Sequence, residues 1–191
     1  MKIYIKNMVC DRCCIVVKGV LKELHLQAES VSLGEIDFAD HYGSQLTDSV
    51  LSQLNNKLVS VGFEILTDKK TTLIEQIKIS CLDYLNQADS PPADKLSSHL
   101  NKTLKRDYTY LSNLFSQQEE ITIEHYFIRL RIEKVKELLA YGELSLSEIA
   151  FQLGFSSTAH LSSQFKKISG MTASQFRLLD HDNSRSTLDK L

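Results

Sequence analysis

Cysteine is the residue type in this 191-residue chain with the clearest capacity for chemistry, and three of its 4 cysteines crowd into "KNMVCDRCCIVVK", residues 6–18. Cys10 and Cys13 form a Cys-x-x-Cys pair, with Cys14 adjacent. Such a pair can ligate a soft metal ion, exchange disulfides, or simply be two small residues entering a core. Two thiolates suit Cu(I), or Zn with further ligands. Arg12 and a helix N-terminus beside the thiols would lower their pKa and favour thiolate. Met8 reads as core filler beside a strand end. Cys81 shares one helix face with Ile74, Ile77 and Leu85, which reads as core. His25, His41, His99, His125 and His181 have no ligand spacing with one another.

The pair needs elements to hold it. "KIYIK" alternates Ile3 and Ile5 with polar neighbours, as a strand does. Cys13, Val16, Val17, Val20, Leu21 and Leu24 then repeat at helical spacing, so the cysteines sit at a strand-to-helix turn, with Asp11 as the expected cap. "AESVSLGEIDFA" alternates around Gly34 and reads as one bulged strand or two. Val50, Leu51, Leu54, Leu58 and Val61 stripe a second helix, capped by Thr47 or Asp48 and stopped at Gly62. "FEILTD" closes as a strand, giving β-α-β(-β)-α-β, the ferredoxin-like order. "TTLIEQIKISCLDYLNQ" adds a helix.

The only prolines, Pro91 and Pro92, stand together in a small polar stretch and mark the domain boundary. The reading is a first domain over 1–72, a connecting helix and linker over 73–92, a second domain over 93–179, and a flexible tail over 180–191. Residues 1–90 carry 9 Lys and Arg against 12 Asp and Glu, a balance of −3; residues 95–179 carry 11 against 8, a balance of +3. Only the second half leans toward a polyanion. No apolar run approaches the ~20 residues that span a bilayer. No leader is read at the start, so a cytoplasmic protein with reduced thiols is expected. No internal repeat is evident at a period of 20–50 residues, and no enzyme is expected, since no catalytic triad or phosphate-cradling glycine loop is found.

After the boundary every segment has helical spacing. In "LSLSEIAFQLGFSSTAHLSSQFKKISGMTASQFR", Ser147 can cap a helix with Ile149, Ala150 and Leu153 inward. Gly154 ends it, a tight turn follows, and a second helix carries Leu161, Phe165 and Ile168 inward. Two short helices joined by a glycine turn form the helix-turn-helix layout, or a plain helical hairpin. The second helix would present Thr158, His160, Ser162 and Ser163 outward, with Lys166 and Lys167 at its far end for phosphates.

Ile149, Ala150, Gly154, Phe155, Ser157, Phe165, Lys166, Gly170, Thr172, Phe176 and Arg177 closely resemble the second helix-turn-helix of AraC-type transcription regulators; Leu161 and Ala173 replace its usual Phe and Pro. "IEHYFIRLRIEKVKELLA" resembles that family's long connecting helix. "LSSHLNKTLKRDYTYLSNLFSQQ" is similar to its first helix-turn-helix, with Asp107 at the cap and Gln118, Glu119 and Glu120 where a glycine is usual. The resemblance covers about residues 95–179 and implies an all-α domain of two helix-turn-helix units joined by a long helix. It also implies double-stranded DNA as partner and Thr109, Ser112 and Asn113 as further base-facing residues. Neither recognition helix offers a base-facing Arg, so affinity calls for both modules and two chains, a homodimer.

Residues 7–13 and "VSVGFE" are similar to heavy-metal-associated domains of copper chaperones and pumps, with Asn7 in place of their Gly. That resemblance implies a metal held by Cys10 and Cys13, with Cys14 as an extra sulfur. The expected function is a DNA-binding regulator responding to a soft metal or thiol state. The alternatives are a metal carrier, or a regulator whose first domain only dimerises or binds a protein.

Overall fold

The structure, a computed structural model, describes residues 1–39, 46–86 and 94–178. Pro91, Pro92, His41, His181 and the 180–191 tail lie outside the described residues. Two compact units divide between Ile79 and Ser80.

In the first unit the elements run β1 (Lys2–Lys6), α1 (Asp11–Glu23), β2 (Ser30–Ser32), β3 (Glu35–Asp37), α2 (Asp48–Ser60) and β4 (Glu64–Leu66). The start of α3 (Lys69–Asn86) follows. The sheet order is β2-β3-β1-β4, with every neighbour antiparallel. Ile3 faces Ile36 and Ile5 faces Ile65 across the ladders. Strand alternation sends Ile3 and Ile5 to one face. There they join Met8, Val17, Val20, Leu21, Ile36, Phe38, Leu54, Leu58 and Phe63 in one core. The 28–39 stretch resolves into two strands, because Gly34 turns the chain at φ +70. A side chain there would also push the Ile79 Cδ1 methyl aside, 2.2 Å away, but it is the positive φ that favours glycine.

Thr47 caps α2, accepting from Val50 N at 3.4 Å. The expectation for α1 is corrected: Cys10 occupies the N-cap without a side-chain bond, and Asp11 is the first helical residue. Asp11 still favours the helix there, through the positive end of the macrodipole.

The second unit holds α4 (Leu96–Leu104), α5 (Tyr108–Glu119), α6 (Ile123–Tyr141), α7 (Leu146–Gln152), α8 (Thr158–Ser169) and α9 (Ala173–Leu178). The 19-residue α6 is its axis, packing on α5, α7, α8 and α9. It buries Tyr126, Leu130, Ile132, Val135 and Leu139 and stops at Gly142, φ +73. Ser145, not the expected Ser147, caps α7: its hydroxyl accepts from Glu148 N while the Glu148 carboxylate accepts from Ser145 N at 2.7 Å. The Glu three residues on makes Ser145 the better cap, since it satisfies the reciprocal donor.

An internal repeat, not evident in the sequence, emerges here. Shifting α5 and the start of α6 by 50 residues superposes their roles on α8 and α9. Leu111 matches Leu161 and Phe115 matches Phe165, all four fully buried. Phe115 packs tilted against Tyr126 at 5.5 Å and Phe165 edge-to-face with Phe176 at 5.7 Å. The caps pair as Asp107 with Ser157, and Thr122 with Thr172. Glu120 (φ +58) and Gly170 (φ +78) end the two helices in the same left-handed turn. Glu120 carries a strain of about 1 kcal/mol that Gly170 avoids. Over residues 107–126 only Leu111, Ser112, Phe115 and Thr122 are identical to their counterparts, which is why the eye passes over the repeat.

Candidate nucleic-acid interface and cysteine pair

The turn into α8 is built from local bonds. Phe155 N donates to Ala150 O at 2.8 Å, closing α7 behind Gly154. Ser157, in extended conformation, accepts from His160 N at 3.0 Å. The Ser156 hydroxyl lies 2.8 Å from His160 Nδ1, and the His160 ring stands edge-on to Phe155 at 5.8 Å. Leu161 and Phe165 anchor α8 inward. His160 and Ser163 are exposed, and Thr158 and Ser162 half-buried. Lys166 and Lys167 are exposed in the last turn, where cations also suit the helix dipole.

Helix α5 repeats the arrangement. Asp107 accepts from Thr109 N at 2.8 Å and Tyr110 N at 3.3 Å. Thr109 and Asn113 are exposed and Ser112 half-buried. Thr109, Ser112 and Asn113 thus occupy the repeat positions of Ala159, Ser162 and Ser163, and Ser116 and Gln117 those of Lys166 and Lys167. Sequence reasoning passed over exposed Lys105 and Arg106 in the α4–α5 turn, and Ser156, which holds His160. The signals were a Lys-Arg pair just ahead of a cap, and a hydroxyl just ahead of another.

The cysteine loop lies in the first unit. Asn7 adopts φ +71, the left-handed turn that Asn tolerates better than most non-glycine residues. Its backbone N donates to Glu75 at 2.9 Å and its Nδ2 to Gly62 O at 3.1 Å, fixing the loop. Cys10 is exposed and Cys13 half-buried, with their sulfurs 3.6 Å apart. Met8 and Cys81 are fully buried, as expected of core residues. Burial pushes the Cys81 thiol up to about 12.

The expected lowering of the thiol pKa is corrected for Cys13. Burial pushes Cys13 up, outweighing backbone hydrogen bonding at Val9 and Cys10 that pulls it down. Burial, then the Asp11 carboxylate, pushes Cys14 up. Among the described residues no group of three or more His, Cys, Asp or Glu is placed to hold a metal, so the pair offers two sulfurs and no third protein ligand. No helix among the described residues is long and apolar enough to cross a membrane.

Comparison with known proteins points to the second unit. The family described as "Helix-turn-helix domain" matches residues 100–178. The chain is 34% identical over 145 residues to the HTH-type transcriptional activator RhaR of Yersinia pseudotuberculosis, covering 72% of this chain and 47% of that protein. It is 28% identical over 137 residues to the Msm operon regulatory protein of Streptococcus mutans, covering 64% and 48%. It is 24% identical over 148 residues to the probable transcriptional regulator LumQ of Photobacterium leiognathi, covering 77% and 58%. The chain thus spans about half the length of the curated relatives it matches. Among solved structures, the C-terminal domain of AraT, a response regulator from Geobacillus stearothermophilus, shares the fold with a TM-score of 0.50 and 24% identity, over 61% of this chain and 98% of that one. A helix-turn-helix domain is therefore what residues 100–178 match in sequence family, and the C-terminal domain of AraT shares its fold with 61% of the chain.

Proposed function

We propose that the chain is a sequence-specific DNA-binding transcription regulator of the AraC type. In this reading α4–α5 and α7–α8 are two helix-turn-helix units joined by α6. The observation that carries it is the 50-residue repeat, which gives α5 and α8 side-chain caps at the same position, the same buried Leu and Phe, and a polar outer face each. Thr109, Ser112 and Asn113 on one helix, and Thr158, His160, Ser162 and Ser163 on the other, are the base-reading candidates. Asn113 can pair bidentately with adenine. Lys166 and Lys167 meet phosphates, as do Lys105 and Arg106. The relatives named as transcriptional regulators support this reading. The work is binding in the cytoplasm, where the DNA is, by a homodimer on half-sites about one helical turn apart.

The test is selection from random duplexes by the reduced full chain at about 0.1 M salt. A selected sequence should bind at least ~10³-fold tighter than random duplex. Equal affinity for selected and random DNA would sink the reading.

The first unit supports a second statement. Its sheet order, β2-β3-β1-β4, supports reading a ferredoxin-like βαββαβ arrangement, and its cysteine pair follows β1 at the start of α1, the place that the resemblance to heavy-metal-associated domains implies for an ion. The sulfur spacing of 3.6 Å fits one edge of a tetrahedral thiolate site, about 3.8 Å for bonds near 2.3 Å, better than the ~4.6 Å of a linear one. Cys10 and Cys13 would hold Zn with ligands from outside the chain, or Cu(I) after a small opening, with Cys14, half-buried like Cys13, as an extra sulfur. A bound ion would supply a fixed link between the loop and α1 and so a signal to the DNA-binding unit. Equilibrium dialysis of the reduced chain should load about one ion, and a Cys10→Ser/Cys13→Ser variant none. Equal loading of both proteins, or unchanged affinity for the selected duplex with and without metal, would leave the first unit as a dimerisation or partner-binding domain.

A further inference from the structure

Arg131, in the middle of α6, is an unusual component for the interior of a helical unit. Its Nε and Nη2 are buried and have no hydrogen-bond partner among the described residues. A guanidinium stays charged in proteins, so leaving its donors unpaired is costly unless something else compensates. What faces it is aromatic. The guanidinium carbon lies 3.8 Å from the centre of the Phe155 ring and 5.9 Å from that of Phe127. Stacking of a flat cation on a ring face fixes the ring's plane as well as its position, which an aliphatic contact does not.

Phe155 is the residue whose plane matters most. It fills the turn between α7 and α8 and is the ring against which His160 stands edge-on. His160 is tied to Ser156 through its ring and to Ser157 through its backbone N. A continuous series of contacts therefore runs from α6 through Phe155 to the exposed first turn of α8. The first repeat has no ring at the matching position. The position 50 residues before Phe155 is Lys105, exposed and left-handed at φ +51.

We infer that Arg131 is a positioning residue for the DNA-facing turn of α8: its guanidinium holds the Phe155 ring flat, and the ring sets His160 and the Ser156–Ser157 turn. The inference rests on the DNA-binding reading for its purpose but not for its test. Arg131→Lys keeps a cation over the ring, whereas Arg131→Met keeps the stem and removes the charge.

In the full chain, hydrogen exchange of the Thr158–Leu161 amides should quicken about tenfold in Arg131→Met and less in Arg131→Lys, while the Thr109–Ser112 amides of α5 stay as they are. On a selected duplex, Arg131→Met should lose protection over one half of the footprint and keep the other. Wild-type exchange in α8, or equal loosening of α5 and α8, would overturn the inference and leave Arg131 as a general contributor to stability. A wild-type chain that selects no DNA would sink the DNA-binding reading alone, since the exchange measurement stands without it.

Discussion

Phe165→Ala should cost the second unit about 3–5 kcal/mol of stability, the range for removing a fully buried phenyl ring. Phe165 is wholly buried and touches both ends of the domain's logic. It stands edge-on to Phe176 at 5.7 Å and shares a core with Ile132, Val135 and Leu139 of α6 and Ile149 and Ala150 of α7. Its loss leaves a cavity that short α7 and α9, of 7 and 6 residues, cannot close by themselves. Against a typical total of about 5–15 kcal/mol the loss is severe. With a urea slope near 1.5 kcal/mol per M, the midpoint should fall by about 2 M or more.

Phe115→Ala, the matched change in the first repeat, should cost a similar amount, because Phe115 is as buried and packs against Tyr126. Both repeats lean on α6, so each substitution should move one shared transition rather than split it in two. Urea unfolding followed by circular dichroism reads both points. A loss below ~1 kcal/mol for Phe165→Ala would mean that the ring is not the core residue described, and two separate transitions would mean that α6 does not unite the repeats.

The ease of reading this chain varied with how local the determining physics is. Strand alternation at Ile3 and Ile5, the stripes on α1 and α2 apart from Val16 and Val61, which are exposed, and the caps at Thr47 and Asp107 depend on residues a few positions apart, so the sequence displays them. Asp11 and Ser147 were misread for a related reason. Each is a good capping type, but the start of a helix is set by which neighbour completes a bond, and Glu148 selects Ser145. The cysteine loop was legible as a strand-to-helix turn, though the left-handed conformation of Asn7 in it was not. The raised Cys13 pKa was not legible, because the burial that outweighs the backbone hydrogen bonding at Val9 and Cys10 is a property of the packed core.

The 50-residue repeat and the Arg131–Phe155 stack lie at the far end of that scale. The repeat is kept by burial and capping at positions whose letters differ, as Tyr126 and Phe176 do. The stack joins residues 24 apart that no periodicity connects. The candidate DNA-facing residues were legible by a different route: an exposed face is what the inward stripe leaves over. That logic names Thr109, Asn113, His160 and Ser163 from the buried Leu and Phe positions alone.

Lys166→Ala/Lys167→Ala should weaken binding to a selected duplex by roughly 10- to 100-fold at 0.1 M salt and flatten its salt dependence. Each lysine that neutralises a phosphate releases about 0.9 of a counterion, so removing two should reduce the slope of log K against log salt by about 1.8. The loss should fall on selected and random duplexes alike, since phosphate contacts carry no sequence information. Ser116→Ala/Gln117→Ala, the matched pair on α5, should leave the slope unchanged because neither residue is charged. Asn113→Ala, by contrast, should cost ~1–3 kcal/mol on the selected duplex and nothing on random DNA. Taking two cations from the last turn of α8 also weakens its dipole pairing, by about 0.3–1 kcal/mol each, so a melting curve must accompany the titrations. Salt titrations of the three variants against wild type separate the roles. An unchanged slope in the double lysine variant would remove α8's far end from the phosphate backbone, and a slope change in the Ser116/Gln117 variant would show that the two recognition helices dock in a way their charges do not dictate.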